Sequence, residues 1–267
     1  MTPDFISSPN YNARNRAIDT IILHYTGMES GQAALDRLCD PGAKVSAHYM
    51  IWETGEITQL VDERHRAWHA GLGSWQGDSD LNTCSIGIEI INGGHNFPLE
   101  TGELPPYPDL QIKAVIALCQ SILTRHSIAA SRIIGHSDMA PARKEDPGEH
   151  FPWAQLAKAG IGLWPDESAA LVSENEAAEL PDDALSIGQS HSMIRPLKSR
   201  LRTIGYALAD GGVYDKELAA VLLAFQRHWA PEYLTGYPCR ESLKRIEALS
   251  KSVPNFKHQP NFRQQEG

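Results

Sequence analysis

The stretch "IDTIILHYT", residues 18–26, decides the fold class of this chain. Its unbroken apolar run is rich in β-branched residues, which is typical of a strand buried on both faces. Such strands occur in sheets that are covered by helices. The run ends near His24, and functional groups collect beyond the C-terminal ends of strands in such sheets. We therefore expect an α/β fold with His24 at a functional crevice; a hydrogen-bonded core histidine is the alternative.

Strand and helix patterns alternate after this stretch. A helical pattern at residues 32–39 is followed by a hairpin pattern around "TGE", residues 46–62, and by a strand pattern at residues 84–92. Residues 108–126 have apolar positions at helical spacing, and "SRIIGHS", residues 131–137, predicts the last strand. This order predicts a central mixed β-sheet flanked by α-helices.

The chain changes character after residue 165. Residues 166–183 carry seven acidic side chains and no basic one, which is typical of a solvated connector, with a short acidic helix as the alternative. Three amphipathic helical patterns follow, so we expect a small three-helix C-terminal domain. The predicted units are an α/β domain at residues 1–165, an acidic linker at 166–185, a helical domain at 186–252 and a polar tail at 253–267.

Composition limits the partners of the 267-residue chain. A net charge of −9 argues against nucleic acid as the main partner. The first residues show no secretory signal, and no apolar run is long enough to cross a bilayer. None of the four cysteines forms a C-x-x-C pair, so we expect them to be free.

The strand pattern "SIGIEII", residues 85–91, contains a carboxylate among isoleucines. Three isoleucines alternate onto one face, and Gly87 and Glu89 fall on the other. A carboxylate there must face a cleft or a partner, and Gly87 would leave room beside it for a ligand. The alternative is a structural ion pair between Glu89 and a buried arginine.

The segment "GHSDMAPARKEDPG", residues 135–148, supplies further candidates. His136 ends the last predicted strand, and together with His24 and Asp146 it forms a His, His, Asp set. Zinc accepts such donors, and a catalytic site keeps a fourth position for water. In an extended loop Lys144 points the same way as Asp146, where its ammonium could stabilise an oxyanion. A solvent-facing lysine is the alternative.

Five motifs together resemble the zinc-dependent N-acetylmuramoyl-L-alanine amidases of the AmpD type, which are related to phage lysozyme-like amidases and peptidoglycan recognition proteins. The motifs are "IILHYTG", "VSAHYMI", "RAWHAG", "SIGIEI" and "GHSDMAPARKEDPG". The resemblance covers residues 16–164 and implies a peptidoglycan recognition protein-like catalytic domain. It implies a Zn²⁺ cofactor whose three ligands are His24, His136 and Asp146. It also implies that Glu89 is the catalytic carboxylate and that Lys144 is the oxyanion partner.

Two departures separate this chain from the phage branch of the resemblance. That branch carries a catalytic tyrosine where this chain has Ala47, and a cysteine ligand where it has Asp146. Both differences place the chain with the AmpD type and leave Glu89 to transfer protons alone. Within "RAWHAG", Trp68 and His69 are expected to line the substrate groove.

The helical patterns after residue 186 resemble the three-helix peptidoglycan-binding domain; a helical cap that stabilises or dimerises the enzyme is the alternative. The expected function is zinc-dependent cleavage of the amide between N-acetylmuramic acid and L-alanine. A non-catalytic recognition protein and a stem-peptide metallopeptidase are the rivals. The partner would be intact peptidoglycan or a soluble anhydromuropeptide. A wall-binding domain favours the cell envelope, whereas the absent signal favours the cytoplasm.

Overall fold

The fold is described by a computed structural model that covers residues 3–165 and 185–253. The strands are β1 (Asp4–Phe5), β2 (Tyr11–Ala13), β3 (Thr20–Tyr25), β4 (Tyr49–Ile51), β5 (Ile57–Gln59), β6 (His65–Ala67), β7 (Ser85–Ile90) and β8 (Ile133–Gly135). The helices are α1 (Gly31–Cys39), α2 (Asp109–Arg125), α3 (His136–Met139), α4 (Trp153–Lys158), α5 (Ile194–Ile204), α6 (Lys216–Trp229) and α7 (Arg240–Ser252).

Six strands form one mixed sheet in the order β1-β5-β4-β7-β3-β8. The β4–β5 hairpin is antiparallel, and the central neighbours β4, β7, β3 and β8 run parallel. Strands β2 and β6 pair in a separate antiparallel ribbon. A mixed sheet flanked by helices was predicted from the alternation of patterns, and the structure confirms it.

One face of the sheet packs on α2 and α4. The isoleucines of β7 lie in this layer together with Ile21 and Leu23 of β3, as their alternation along the strands predicts. Helix α2 presents Ile112, Val115 and Ile122 to them at helical spacing. Burial on this face fixes the register of the central strands, so it also fixes which residues point the other way.

The opposite face of the sheet is covered by α1 and by the three C-terminal helices. Ile22 and Ile134 belong to an apolar cluster that continues through Trp75 and Met139 into the side chains of α5, α6 and α7. The Cα of Gly205, directly after α5, lies so close to the Trp75 ring that an added Cβ would come within 2.6 Å of it. The described helical segment and the sheet thus share one core.

Other expectations concern parts outside this core. Most of the acidic linker (166–185), including the alternative acidic helix, and all but the first residue of the polar tail (253–267) lie outside the described residues. All four cysteines are free, as expected. Among the described helices, none has the length and apolar character that crossing a membrane requires.

Candidate active site

Three neighbouring strands deliver the predicted site residues to one edge of the sheet. His24 near the end of β3 lies directly opposite Glu89 of β7 in the parallel register. On the other side of β3, strand β8 ends at Gly135, and His136 begins α3 immediately after it. The backbone of the following loop returns to this point, since Ser137 N donates to the carbonyl of Asp146 at 2.9 Å. Side chains far apart in sequence therefore meet at the carboxyl ends of these strands.

The side chains of His24, His136 and Asp146 converge on one point. His24 Nδ1 lies 2.9 Å from both His136 Nδ1 and Asp146 Oδ2, and His136 Nδ1 lies 3.0 Å from the same carboxylate oxygen. All three residues are buried. This trio has the geometry of a metal-ligand group.

The tautomer of the neutral His136 ring follows from the contact of its outer nitrogen. Nε2 lies 2.8 Å from the carbonyl oxygen of Ala70. A carbonyl oxygen only accepts, so Nε2 carries the proton in the neutral ring. The Nδ1 lone pair of His136 is thereby left facing the centre of the trio.

The protonation state of His24 is set by a longer chain of hydrogen bonds. Ser85 Oγ donates to the carbonyl of Leu81 at 2.5 Å, so its oxygen accepts from His69 Nε2 at 3.1 Å. His69 Nδ1 then accepts from His24 Nε2 at 3.0 Å. Burial lowers the pKa of His24 to about 4 and that of His69 well below its usual range, so both rings are neutral near pH 7. His24 therefore also turns an Nδ1 lone pair toward the centre.

This arrangement calls for a cation. Two nitrogen lone pairs and a carboxylate oxygen that face one another at 2.9–3.0 Å repel unless a positive charge lies between them. Neutral imidazoles with their outer N–H groups held by partners, together with a carboxylate, are the donor set that zinc takes in proteins. The residues present therefore fit a zinc ion.

The space beside Gly87 is filled by a side chain and is not open to a ligand as was predicted. A Cβ at this position would lie 2.3 Å from the Cγ atom of His69, so the His69 ring fills the room that was expected to receive a ligand. His48 lies behind that ring, fully buried, with Nδ1 accepting from Gly87 N at 3.0 Å and Nε2 lying 2.9 Å from Arg14. Gly87 thus serves close packing of the histidines, and His48 has a structural setting.

Glu89 points into the same cavity as the trio. Its Oε2 atom is buried and has no hydrogen-bond partner among the described residues. Burial raises the pKa of Glu89 well above its usual range, the carboxylate of Asp146 adds to the rise, and the ammonium of Lys144 opposes it. Within residues 3–165 and 185–253 no arginine forms an ion pair with Glu89, so the structure does not show the predicted alternative of a structural ion pair.

The cavity that contains these groups has a volume of about 210 Å³. Trp68 and His69, which were predicted to line a substrate groove, line this cavity, and so does Lys144. Trp68 is held by its indole N–H, which donates to Asn12 Oδ1 at 2.7 Å, whereas His69 is buried against His24. Their predicted roles in substrate binding stay predictions.

Several residues of the site were missed in the sequence. Ser85 orients His69, and the side-chain oxygen of Asn82 accepts from the backbone N–H groups of His69 and Ala70 at 3.0 and 2.8 Å. Arg37 of α1 also lines the cavity. Ser85 shares a strand face with Gly87 and Glu89, which was the one visible signal.

A larger groove of about 1320 Å³ lies beside α2. Its lining includes residues of α2, of the β4–β5 hairpin and of the segments 14–19 and 62–64, and it contains none of the predicted site residues. The convergent donors lie in the smaller cavity, which is therefore the candidate reaction site.

Comparisons with known proteins find a matching family and a similar relative. The family described as N-acetylmuramoyl-L-alanine amidase matches residues 14–149. The chain is 34% identical to the N-acetylmuramoyl-L-alanine amidase AmiD of Escherichia coli K12 over 240 residues, which are 87% of this chain and 82% of that protein.

Two solved structures resemble it over most of its length. One is E. coli AmiD in complex with anhydro-N-acetylmuramic acid-L-Ala-D-γ-Glu-L-Lys, with a TM-score of 0.74, 32% identity, and coverage of 90% of this chain and 91% of the other. The other is AmpDh3 of Pseudomonas aeruginosa in complex with anhydromuramic pentapeptide, with a TM-score of 0.75, 33% identity, and coverage of 89% and 92%.

Proposed function

The chain belongs to the N-acetylmuramoyl-L-alanine amidase family, and from this premise we propose how its own residues carry the reaction. It is an N-acetylmuramoyl-L-alanine amidase: it cleaves the amide between N-acetylmuramic acid and L-alanine during peptidoglycan recycling, and it binds peptidoglycan fragments. The proposal concerns the metal, the roles of the site residues and the helical segment.

The metal is zinc, held by the Nδ1 atoms of His24 and His136 and a carboxylate oxygen of Asp146. This assignment rests on the convergence of three donors on a single point: one carboxylate and the Nδ1 lone pairs of two histidines, whose directions are set by the hydrogen bonds of their outer nitrogens. When bound, zinc supplies Lewis acidity, which lowers the pKa of a water and polarises a carbonyl.

Glu89 is the general base and later the general acid. Its buried Oε2 has no hydrogen-bond partner in the part of the chain that the structure describes, and Glu89 lines the cavity, so it can accept the proton of an attacking water. A raised pKa makes its carboxylate a stronger base, and it retains the proton until the amine of L-alanine leaves.

Lys144 stabilises negative charge on the carbonyl oxygen of the scissile amide. Its side chain lines the cavity beside Asp146 and Glu89, and its positive charge opposes the rise in the pKa of Glu89. A fixed cation at a site from which water is largely excluded acts strongly on charge that develops during the reaction.

Residues 1–165 form the catalytic unit of this proposal, and residues 186–252 form a peptidoglycan-binding unit joined to it by the acidic segment. The support for wall binding is the resemblance of the helical patterns. The described helices of this segment pack against the sheet in one apolar cluster.

Product analysis tests the proposal. The protein is incubated with whole sacculi and with soluble anhydromuropeptide, and products are identified by mass. An amidase releases peptides with a new L-alanine amine and leaves the muramic lactate intact, whereas a stem-peptide metallopeptidase cuts within the peptide. Loss of activity with a chelator and its return with zinc is expected; full activity of the metal-free protein would refute the zinc assignment.

A further inference from the structure

Two consecutive residues at the end of α6, Arg227 and His228, contact the segment that carries the ligands His136 and Asp146. His228 Nδ1 lies 2.7 Å from Asp138 Oδ2, and both residues are almost completely buried. Helix α3 contains Asp138 as well as His136, so the helical segment contacts the element that presents a proposed ligand.

Asp138 is held on both of its carboxylate oxygens. Oδ2 also accepts from Gly135 N at 2.8 Å, and Oδ1 lies 3.0 Å from the hydroxyl of Tyr206, which follows α5. Two of its three partners therefore come from the C-terminal segment. They restrain α3 at the point where it leaves β8 and turns His136 into the site.

His228 has little freedom to move. Its ring is stacked between Trp153 and Trp229, with ring centroids 3.7 Å away on each side. Trp153 belongs to the catalytic part and Trp229 to α6, so the stack itself joins the two segments. Such a fixed ring presents Nδ1 to Asp138 in one orientation.

Arg227 contacts the other end of the ligand loop. Its Nη2 atom lies 2.6 Å from Glu145 Oε1, and its Nε atom lies 3.6 Å from Glu149 Oε2. These carboxylates stand on either side of Asp146 in the sequence. The guanidinium is largely buried, whereas the Glu145 side chain is 47% exposed, so the pair lies at the rim of the contact between the helical segment and this loop.

We propose that Arg227 and His228 are positioning residues for the metal site: from the helical segment they hold α3 and the loop around Asp146 so that the Nδ1 atom of His136 and the carboxylate of Asp146 meet. The inference rests on the proposed zinc site. It gives the C-terminal segment a task in the amidase reaction that is separate from any binding of the wall. Neither residue lines the substrate cavity, and their polar partners are Asp138, Glu145 and Glu149 and not the trio, so their effect passes through these three carboxylates.

Zinc affinity of the full-length protein, measured by competition with a chromogenic chelator at fixed pH, tests this role. His228→Leu and Arg227→Met should each weaken zinc binding by up to about tenfold, the lower end of the range of about 10–100-fold for direct partners of metal ligands, because both residues act one contact further out. His228→Asn, which keeps a side-chain N–H near the position of Nδ1, should recover most of the affinity.

Lys198→Met is the matched control. Lys198 is also buried and pairs with Asp215 at 2.5 Å, but that pair lies within the helical segment. It should lower the stability of the protein and leave zinc affinity unchanged. If His228→Leu fails to fold, Arg227→Met and Tyr206→Phe replace it in the comparison.

The outcomes separate this inference from the zinc proposal. If Arg227→Met and Tyr206→Phe bind zinc as tightly as the Lys198→Met control does, the positioning role alone is overturned. If the unmodified protein takes up no zinc, the zinc proposal fails and this inference fails with it.

Discussion

Replacement of Gly87 by alanine should damage the metal site through His69. A Cβ at this position would lie 2.3, 2.5 and 2.6 Å from the Cγ, Nδ1 and Cδ2 atoms of the His69 ring. Carbon atoms pack at about 3.5–4.0 Å, so the ring must move by about 1 Å or more. Since His69 Nδ1 accepts from His24 Nε2 at 3.0 Å, this movement breaks the bond that orients His24. Overpacking of this kind costs about 1–3 kcal/mol of stability.

Zinc affinity and the free energy of unfolding should both report the change. Gly87→Ala should weaken zinc binding about 10–100-fold, the range for outer partners of metal ligands. Gly212→Ala is the control, since the nearest atom to a Cβ there is a carbonyl oxygen 3.9 Å away. In a His69→Ala background the ring is gone, so Gly87→Ala should then cost little. Equal effects of Gly87→Ala in both backgrounds, or no difference from Gly212→Ala, would refute the reasoning.

Three further outcomes are expected. Glu89→Gln should retain zinc and fold but lose about 10²–10⁴-fold in turnover, and near-normal turnover measured with soluble muropeptide would reassign the base. Asp146→Ala should abolish stoichiometric zinc in metal analysis, because it removes the anionic donor of the trio; retained zinc would show that the ligands are elsewhere. A chain that ends at Pro165 should unfold at lower urea than the full chain, because Trp75 and Met139 lose their cover; an unchanged midpoint would show that the catalytic part is complete without the helices.

Local patterns predicted the sheet and its strand ends. Period-two alternation in β7 placed its isoleucines against α2 and Glu89 on the opposite face, because one buried face fixes strand register. His24 and His136 were found because each lies at the C-terminal end of a strand in a parallel group, and such ends share one edge.

Contacts between segments that are far apart in the chain could not be predicted from the sequence. The position beside Gly87 was predicted to be open because the pattern of strand β7 does not show which side chain from elsewhere packs against it. The ring that packs there belongs to His69, which follows another strand. In the same way, the approach of His228 to Asp138 joins residues 90 positions apart. Helical spacing places His228 on a helix but says nothing of its partner across the core.

Because the sheet and the helices share one apolar cluster, the two parts of the protein do not depend on the acidic segment alone to stay together. Leu163 and Trp164, just before the segment, and Leu185, just after it, all pack in or against this cluster. Both ends of the connection are therefore anchored in one apolar cluster, and a longer connection would add little loop-closure entropy, since each doubling of loop length costs only about 0.6 kcal/mol. The chain could accept insertions there, or be divided into two separately expressed fragments that reassemble as a split enzyme.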